Sequence, residues 1–107
     1  MKEDGTVLVE FSVVPLGKGE SVSQYVAECL RLVEASGIRY KINPMGTVLE
    51  GEYDEAMAVI RACHMKVMDL SPRVITSIKI DDRKGRRDML DSKIASVETK
   101  LGMELRK

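Results

Sequence analysis

The sequence predicts an α+β fold in which two helices cover one face of a four-stranded antiparallel sheet. Segments in which apolar and polar side chains alternate, as in strands, are interspersed with segments whose apolar residues recur at helical spacing. Glycine, proline and serine separate these segments. The order is β-α-β-β-α-β, followed by one more helical segment. This is the split βαβ, or ferredoxin-like, pattern with an added C-terminal helix.

The first strand is predicted over residues 6–14, which are rich in β-branched side chains. Its odd-numbered residues from Val7 to Val13 are apolar and share one face of the strand. Pro15 cannot donate a hydrogen bond to a neighbouring strand. We therefore expect the strand to end at this proline or to continue beyond it only as an edge.

The first helix is predicted to begin at Ser21, because Ser21 and Gln24 fit a capping box. It is predicted to end at Gly37, the residue type that most often takes the left-handed conformation after a helix. Its apolar stripe consists of five residues at helical spacing, namely Val22, Val26, Cys29, Leu30 and Val33. We expect this stripe to enter the core.

A hairpin is predicted over residues 38–52, because apolar and polar side chains alternate cleanly up to Asn43. Its tip carries Pro44, Met45 and Gly46 in place of the Asn-Gly or Asp-Gly pair that two-residue hairpins prefer. Gly46 suits the position of a type II turn that requires a positive φ. We expect a longer or bulged loop in which the glycine absorbs the strain, and the alternative is a corner that shapes a ligand pocket.

The second helix is predicted to begin at Tyr53 or Asp54 and to end at residues 69–72, where Ser-Pro breaks it. Its apolar stripe consists of Ala56, Val59, Ile60, Cys63 and Val67. The fourth strand is predicted over residues 73–81. After a charged loop, a third helix is predicted over residues 88–101.

Length and charge limit the possible functions. The chain has 107 residues, which favours a single domain, and its 17 basic residues balance its 17 acidic residues. A nucleic-acid binder would carry a basic excess, and the RNA-binding form of this fold would carry aromatic platforms on its central strands, where only Phe11 is found. No apolar run approaches the roughly 18–20 residues of a membrane span, and no signal peptide pattern is present. We expect a cytoplasmic protein without nucleic-acid or membrane partners.

Cys29 and Cys63 are the two cysteines, and each lies on the apolar stripe of a predicted helix. We expect two buried free thiols of a cytosolic protein, with a disulfide between the helices as the alternative. His64 is the one histidine, and no ligand cluster of zinc spacing accompanies it. It has no nucleophile or carboxylate partner at motif spacing, so a surface or interface histidine is expected. We predict neither a metal site nor catalytic residues.

The hairpin corner is the first candidate site for a small ligand. Asn43 and Thr47 would supply hydrogen bonds, Glu50 a charge and Met45 an apolar lid. A large apolar side chain at a hairpin tip has no core to enter, so Met45 is either exposed or packed on a ligand or a neighbouring subunit.

The loop before the first helix is the second candidate site. Backbone N–H groups of Gly17, Lys18 and Gly19, the positive helix end and the lysine charge would hold an anion. The pattern is neither a Walker motif nor GxGxxG, and Glu20 beside it would repel an anion. A flexible loop is the alternative.

The sheet face away from the helices mixes polar residues with apolar neighbours such as Leu8 and Val14. The polar members are Glu10, Ser12, Lys41, Asn43, Ser77 and Lys79. A half-apolar open face in so small a domain invites a partner sheet, so we expect a homo-oligomer.

Three segments together resemble the thiamine-binding-like proteins, a small family of bacteria, archaea and yeast. The most specific pieces are Ser12 with residues 15–17, and residues 44–47 with residues 50–51. The similarity extends over residues 7–101. The segments are VEFSVVPLGKGESVSQYV, YKINPMGTVLEG and VITSIKIDDRKG.

The resemblance implies a ferredoxin-like subunit that forms dimers and tetramers and has no established catalysis. We expect no cofactor. The resemblance also implies binding of thiamine, or of its hydroxymethylpyrimidine part, in at least some members. Such a ligand needs a stacking surface and a few placed polar groups, so motif position and chemistry add Ser12, Tyr25 and Tyr40 to the candidate site. A phosphorylated ligand would favour the Gly17–Gly19 corner, and an unphosphorylated one the hairpin corner.

We therefore predict a non-enzymatic carrier or sensor of thiamine. The alternative is a regulatory module of the ACT kind, which binds another small molecule or an anion at a subunit interface. An enzyme of the acylphosphatase kind would share the fold, but it needs an arginine in the glycine loop after the first strand. Lys18 is the only cation in that loop.

Overall fold

The first six of the seven predicted elements are present, in the predicted order, in a computed structural model that describes residues 6–17 and 23–84. They are β1 (Val7–Leu16), α1 (Ser23–Ser36), β2 (Arg39–Asn43), β3 (Gly46–Gly51), α2 (Tyr53–Leu70) and β4 (Arg73–Asp82). The predicted α+β class is confirmed. The proposed helix start at Ser21 and the third helix over residues 88–101 lie outside the described residues.

The four strands form one antiparallel sheet in the order β2-β3-β1-β4, which is the ferredoxin-like order. β1 pairs with β3 only from Val7 to Phe11. On its other side it pairs with β4 along its whole length to Leu16. β1 therefore runs two residues beyond its predicted end at Val14, and Pro15 lies where β1 has a single neighbour, as an edge position allows.

The core lies between the sheet and the two helices. β1 contributes alternate residues from Val7 to Phe11, and β3 contributes Leu49, which pairs with Val9. All five residues predicted for the α2 stripe are buried, namely Ala56, Val59, Ile60, Cys63 and Val67. The periodicity of α2 thus identified its buried face correctly.

The buried face of α1 differs from the prediction. Its buried residues are Tyr25, Cys29 and Val33, whereas Val26 is 41% exposed and Leu30 is only partly buried. The helix is rotated about its axis relative to the predicted stripe. The reason is tertiary, because Val26 faces the end of the β2–β3 hairpin, where no helix or strand among the described residues covers it.

The hairpin tip is a two-residue turn, so the expected longer or bulged loop was wrong. Asn43 and Gly46 form the last cross-strand pair, and Pro44 and Met45 connect them. The expectation of a positive φ at Gly46 was also wrong, because only Gly17 and Gly37 have one among the described glycines.

Gly46 is required by a close approach instead. A Cβ atom at this position would lie 2.7 Å from the backbone carbonyl oxygen of Phe11. Pro44 cannot take the positive φ of a primed turn, since its ring holds φ near −65°. The turn therefore matches the strand twist less well than Asn-Gly would.

The sheet face away from the helices has the predicted mixed character, and we call it the open face. Glu10 lies directly opposite Lys79, and Val14 directly opposite Ile75. Neither described helix is long and apolar enough to cross a membrane.

Candidate functional site

A cleft of about 200 Å³ opens between α1, the hairpin tip and the second half of β1. We call it the hairpin cleft. It is lined by Phe11, Ser12, Val13, Val14, Val26, Cys29, Ile42, Asn43, Pro44, Met45, Gly46 and Thr47. The stretch of β1 from Phe11 to Val14 and the hairpin tip are therefore neighbours.

The cleft exists because β1 continues beyond the point at which the β2–β3 hairpin ends. β3 stops pairing with β1 at the Phe11–Thr47 pair, while β1 continues beside β4. The hairpin ends at Asn43 and Gly46, so within residues 6–17 and 23–84 no strand flanks this side of β1 beyond Phe11. α1 passes above with Val26 and leaves the space beneath unfilled.

The rim of the cleft is apolar and unusually exposed. Val14, Val26, Ile42 and Met45 are all exposed large apolar residues, and Met45 is 86% exposed. Isolated exposed apolar residues are ordinary, but four around one cleft form a patch. Such a patch is typical of a surface that contacts a ligand or another subunit.

The polar groups of the cleft come from Ser12, Asn43 and Thr47. All three were predicted as ligand-binding residues, and Met45 was predicted as the lid. The structure brings these four together around one opening. Their role in binding stays a prediction.

Glu50 lies elsewhere. It pairs with Leu8 and Arg39 across the sheet, and its neighbour Leu49 faces the core, so Glu50 points to the open face. Its Oε1 atom lies 3.1 Å from the Arg39 guanidinium, and its side chain is 2% exposed. Thr6 donates a hydrogen bond of 3.2 Å to its other oxygen. Its carboxylate is held in a structural ion pair outside the cleft lining.

The two tyrosines predicted for the site also lie outside the cleft lining. Tyr25 is buried in the core at 5% exposure. Tyr40 donates a hydrogen bond of 2.5 Å from its hydroxyl to the Glu34 carboxylate near the end of α1. That hydrogen bond, with smaller effects of burial and of the Glu34 charge, raises the pKa of Tyr40. Its aromatic ring therefore supports α1 rather than the cleft.

The glycine corner is only partly described. Gly17 has a φ of 78° and does not line the cleft. Lys18 and Gly19 lie outside the described residues, so the predicted anion site stays a prediction.

His64 of α2 lies apart from the cleft. Its Nδ1 atom is 2.6 Å from the Thr76 hydroxyl on β4. Residues 6–17 and 23–84 contain no group of three or more His, Cys, Asp or Glu side chains placed to hold a metal ion.

Sequence reasoning missed Val26, Ile42 and Cys29 as cleft residues. Val26 and Cys29 were assigned to the core-facing stripe of the first helix, and Ile42 belongs to the alternating stretch of the hairpin. The available signal was Pro15, which marks a stretch of β1 without a second neighbour. A gap beside that stretch exposes the inward-facing residues that border it.

A family model described as "Thiamine-binding protein" matches residues 9–98. The chain belongs to this family. The resemblance read from the sequence is thereby confirmed, and the motif pieces at residues 12 and 44–47 lie within the hairpin cleft.

Relatives in the family include proteins with the name UPF0045. The Synechocystis protein is 42% identical over 94 residues, which cover 87% of this chain and 78% of the relative. The Mycobacterium tuberculosis protein is 44% identical over 94 residues, covering 87% of this chain and 92% of the relative.

Solved structures agree with the fold. The crystal structure of a hypothetical protein from Methanocaldococcus jannaschii has a TM-score of 0.81 at 37% identity and covers 86% of this chain and 95% of that one. A Thermotoga maritima structure, named for thiamine biosynthesis or salvage, has a TM-score of 0.76 and covers 86% of this chain and 98% of that one. Its identity is 21%, so it shows the shared fold alone.

Proposed function

We propose that the protein binds thiamine, or its hydroxymethylpyrimidine part, in the hairpin cleft and acts as a carrier or sensor. The observation that carries this proposal is an apolar cleft edged by Ser12, Asn43 and Thr47, in a chain that belongs to a thiamine-binding family. Apolar walls with a few placed polar groups are the usual composition of a small-molecule site.

The size of the cleft favours the pyrimidine end of the ligand. Sites for drug-sized molecules usually enclose about 300–1,000 Å³. A cleft of about 200 Å³ accepts one aromatic ring with its substituents rather than a whole thiamine molecule. The aminopyrimidine has both donors and acceptors for Asn43 and the two hydroxyls, and the Met45 thioether would pack against the ring.

The thiazolium ring would then extend past Met45 onto the open face. A shallow groove there shares Ser12 and Met45 with the cleft and carries Glu10 and Lys79. Glu10 would attract the thiazolium charge, but Lys79 lies directly opposite it on β4. We therefore expect thiamine to bind only slightly more tightly than the uncharged pyrimidine.

Isothermal titration calorimetry with thiamine, thiamine monophosphate and hydroxymethylpyrimidine tests the proposal. Asn43→Ala should weaken binding of all three ligands. Lys41→Ala is the matched control, because Lys41 lies on the same strand and sheet face but does not line the cleft. Glu10→Gln should weaken thiamine binding and leave the pyrimidine unchanged.

Absence of saturable heat with all three ligands would refute thiamine binding by this chain. Equal losses in Asn43→Ala and Lys41→Ala would refute the placement in the hairpin cleft. Tyr40→Phe should bind normally, since its hydroxyl contacts Glu34.

We further infer that the protein is a homo-oligomer that pairs through its open face. Val14 and Ile75 are directly opposite each other and both exposed, and such a pair would be covered by a second copy. Light scattering should give a multiple of the 11.9 kDa chain mass. Ile75→Glu should lower the measured mass, whereas Met68→Glu on α2 should leave it unchanged. A monomeric wild type would contradict the inference.

We propose finally that the protein is not an enzyme and works in the cytoplasm. His64 is hydrogen-bonded to Thr76, away from the cleft, and both cysteines are free thiols, as a reducing compartment keeps them. Chromatography of thiamine incubated with the protein should show no product. Conversion that disappears in Asn43→Ala would overturn the proposal.

A further inference from the structure

Cys29 of α1 and Cys63 of α2 are neighbours where the two helices pack together. Both are free thiols. The Cys63 Sγ atom lies 3.5 Å from the Cys29 carbonyl oxygen, and the Cys29 Sγ atom lies 4.0 Å from the Cys63 carbonyl oxygen. Each sulfur therefore lies against the backbone of the other residue, which places the two thiols side by side.

The two thiols differ in access. Cys29 lines the hairpin cleft and is 8% exposed. Cys63 is 0% exposed and does not line the cleft. A small solute in the cleft would meet Cys29 first, with Cys63 directly behind it.

The pKa shifts of the two thiols also favour Cys29 as the first to react. A hydrogen bond from the Cys63 side chain lowers the pKa of the Cys29 thiol, although burial and the Glu28 charge oppose it. The same hydrogen bond, together with burial, raises the pKa of Cys63. A thiolate is better tolerated at the cleft than in the closed interior, and the thiolate is the form that attacks an oxidant.

We propose that Cys29 is a site of oxidation by hydroperoxides that enter the hairpin cleft, and that Cys63 resolves the product to a disulfide between α1 and α2. Buried cysteines are usually inert. This pair differs because one thiol opens to a cleft and the other is already in contact with it. The inference does not require that the cleft bind thiamine.

Two steps complete the reaction. In the first, the Cys29 sulfur attacks one peroxide oxygen and the O–O bond breaks. Cys29 becomes a sulfenic acid, and the second oxygen leaves with the thiol proton as water or an alcohol. In the second, the Cys63 sulfur attacks the Cys29 sulfur, the S–O bond breaks, and hydroxide leaves as water with the Cys63 proton. Two electrons pass from the two thiols to the peroxide.

The experiment exposes the folded protein to hydrogen peroxide and follows both thiols by mass spectrometry. In the wild type we expect a loss of two hydrogens, and a non-reducing peptide map should join the Cys29 and Cys63 peptides. Dithiothreitol should reverse both changes. A folded wild type whose two thiols stay reduced, while a small free thiol in the same tube is oxidised, would overturn the proposal.

Single variants separate the attacking thiol from the resolving thiol. Cys63→Ser should accumulate a Cys29 sulfenic acid that dimedone traps. In Cys29→Ser, Cys63 should stay reduced. Oxidation of Cys63 in Cys29→Ser at the wild-type rate would refute the assigned order. Circular dichroism checks folding, and Cys63→Ala replaces Cys63→Ser if the buried hydroxyl prevents folding.

Access through the cleft has its own test. Val26→Trp places a large side chain at the mouth of the cleft and should slow oxidation several-fold. Met65→Trp is the matched control, because Met65 is equally an exposed apolar helix residue but lies on α2 outside the cleft lining. Equal rates in the two variants would refute entry through the cleft.

Discussion

Replacing Gly46 by alanine would place a methyl group against the backbone of the neighbouring strand. An ideal Cβ atom at this position lies 2.7 Å from the Phe11 carbonyl oxygen and 3.5 Å from its carbonyl carbon. The obstacle is backbone, so it cannot rotate away. β1 and β3 must separate beside the Phe11–Thr47 pair, at the wall of the hairpin cleft.

The size of the effect follows from two opposing contributions. Overpacking of this kind usually costs about 1–3 kcal/mol. Alanine recovers about 0.5–1 kcal/mol, because glycine loses more conformational freedom when a strand forms. Because the obstacle is backbone, the overpacking cost should lie in the upper part of its range, at about 2–3 kcal/mol. We therefore expect the free energy of unfolding to fall by about 1–2.5 kcal/mol, and each kcal/mol lowers the Tm of a domain of this size by about 4–8 °C.

Urea unfolding followed by circular dichroism measures the loss, and Gly51→Ala is the matched control. A Cβ atom at Gly51 would meet Ile38 Cδ1 at 2.7 Å and Cγ1 at 2.8 Å, which are atoms near the end of a flexible side chain. Gly51→Ala should therefore lower the free energy of unfolding clearly less than Gly46→Ala does. A Gly46→Ala variant as stable as the wild type, or less affected than Gly51→Ala, would refute the close-approach reasoning.

Two further predictions concern charged and polar contacts outside the cleft. Arg39→Met should lower the free energy of unfolding by about 1–3 kcal/mol, because it removes the guanidinium from the buried Glu50 carboxylate. In a urea double-mutant cycle, adding Glu50→Gln should recover part of this stability. Additive losses from the two substitutions would contradict the prediction. The Tyr40 hydroxyl must stay protonated to donate to Glu34, so its raised pKa means that the stabilisation is complete below the ordinary value of 10.0 and is lost as the pH rises above it. Absorbance titration should show the Tyr40 midpoint falling in Glu34→Ala, and an unchanged midpoint would contradict the assignment.

Helix and strand patterns are local, and here they predicted the elements well. The residues of the α2 stripe are all buried, because spacing along one helix identifies its apolar face directly. For α1 the same method selected Val26, although Tyr25 is the buried neighbour. Two adjacent faces of α1 are apolar, and only the position of the hairpin decides which of them is covered.

Gly46 shows the same limit at a single residue. A glycine in a turn indicates either a positive φ or a close approach of another backbone. The sequence around Gly46 favours the first, and the structure has the second. The neighbour in question is Phe11, which lies far away in sequence and adjacent only through β1–β3 pairing.

The residues of the candidate site were likewise predicted only in part. Motif position and side-chain chemistry predicted Ser12, Asn43, Met45 and Thr47, and these four residues meet at one cleft. Glu50 was predicted for the same corner, but it lies further along β3, beside Leu8 and Arg39, and does not line the cleft.

Consecutive residues suffice to predict the order of the elements, the inward faces of β1 and α2, and the family, because periodicity and motifs are local properties of the chain. The cleft, with Val26, Cys29 and Ile42 at its border, arises from the packing of these elements. It forms because β1 is long and continues beside β4, whereas the hairpin is short and stops at Asn43. The space left between elements depends on how they pack, so the residue pattern of a single helix or strand cannot predict it.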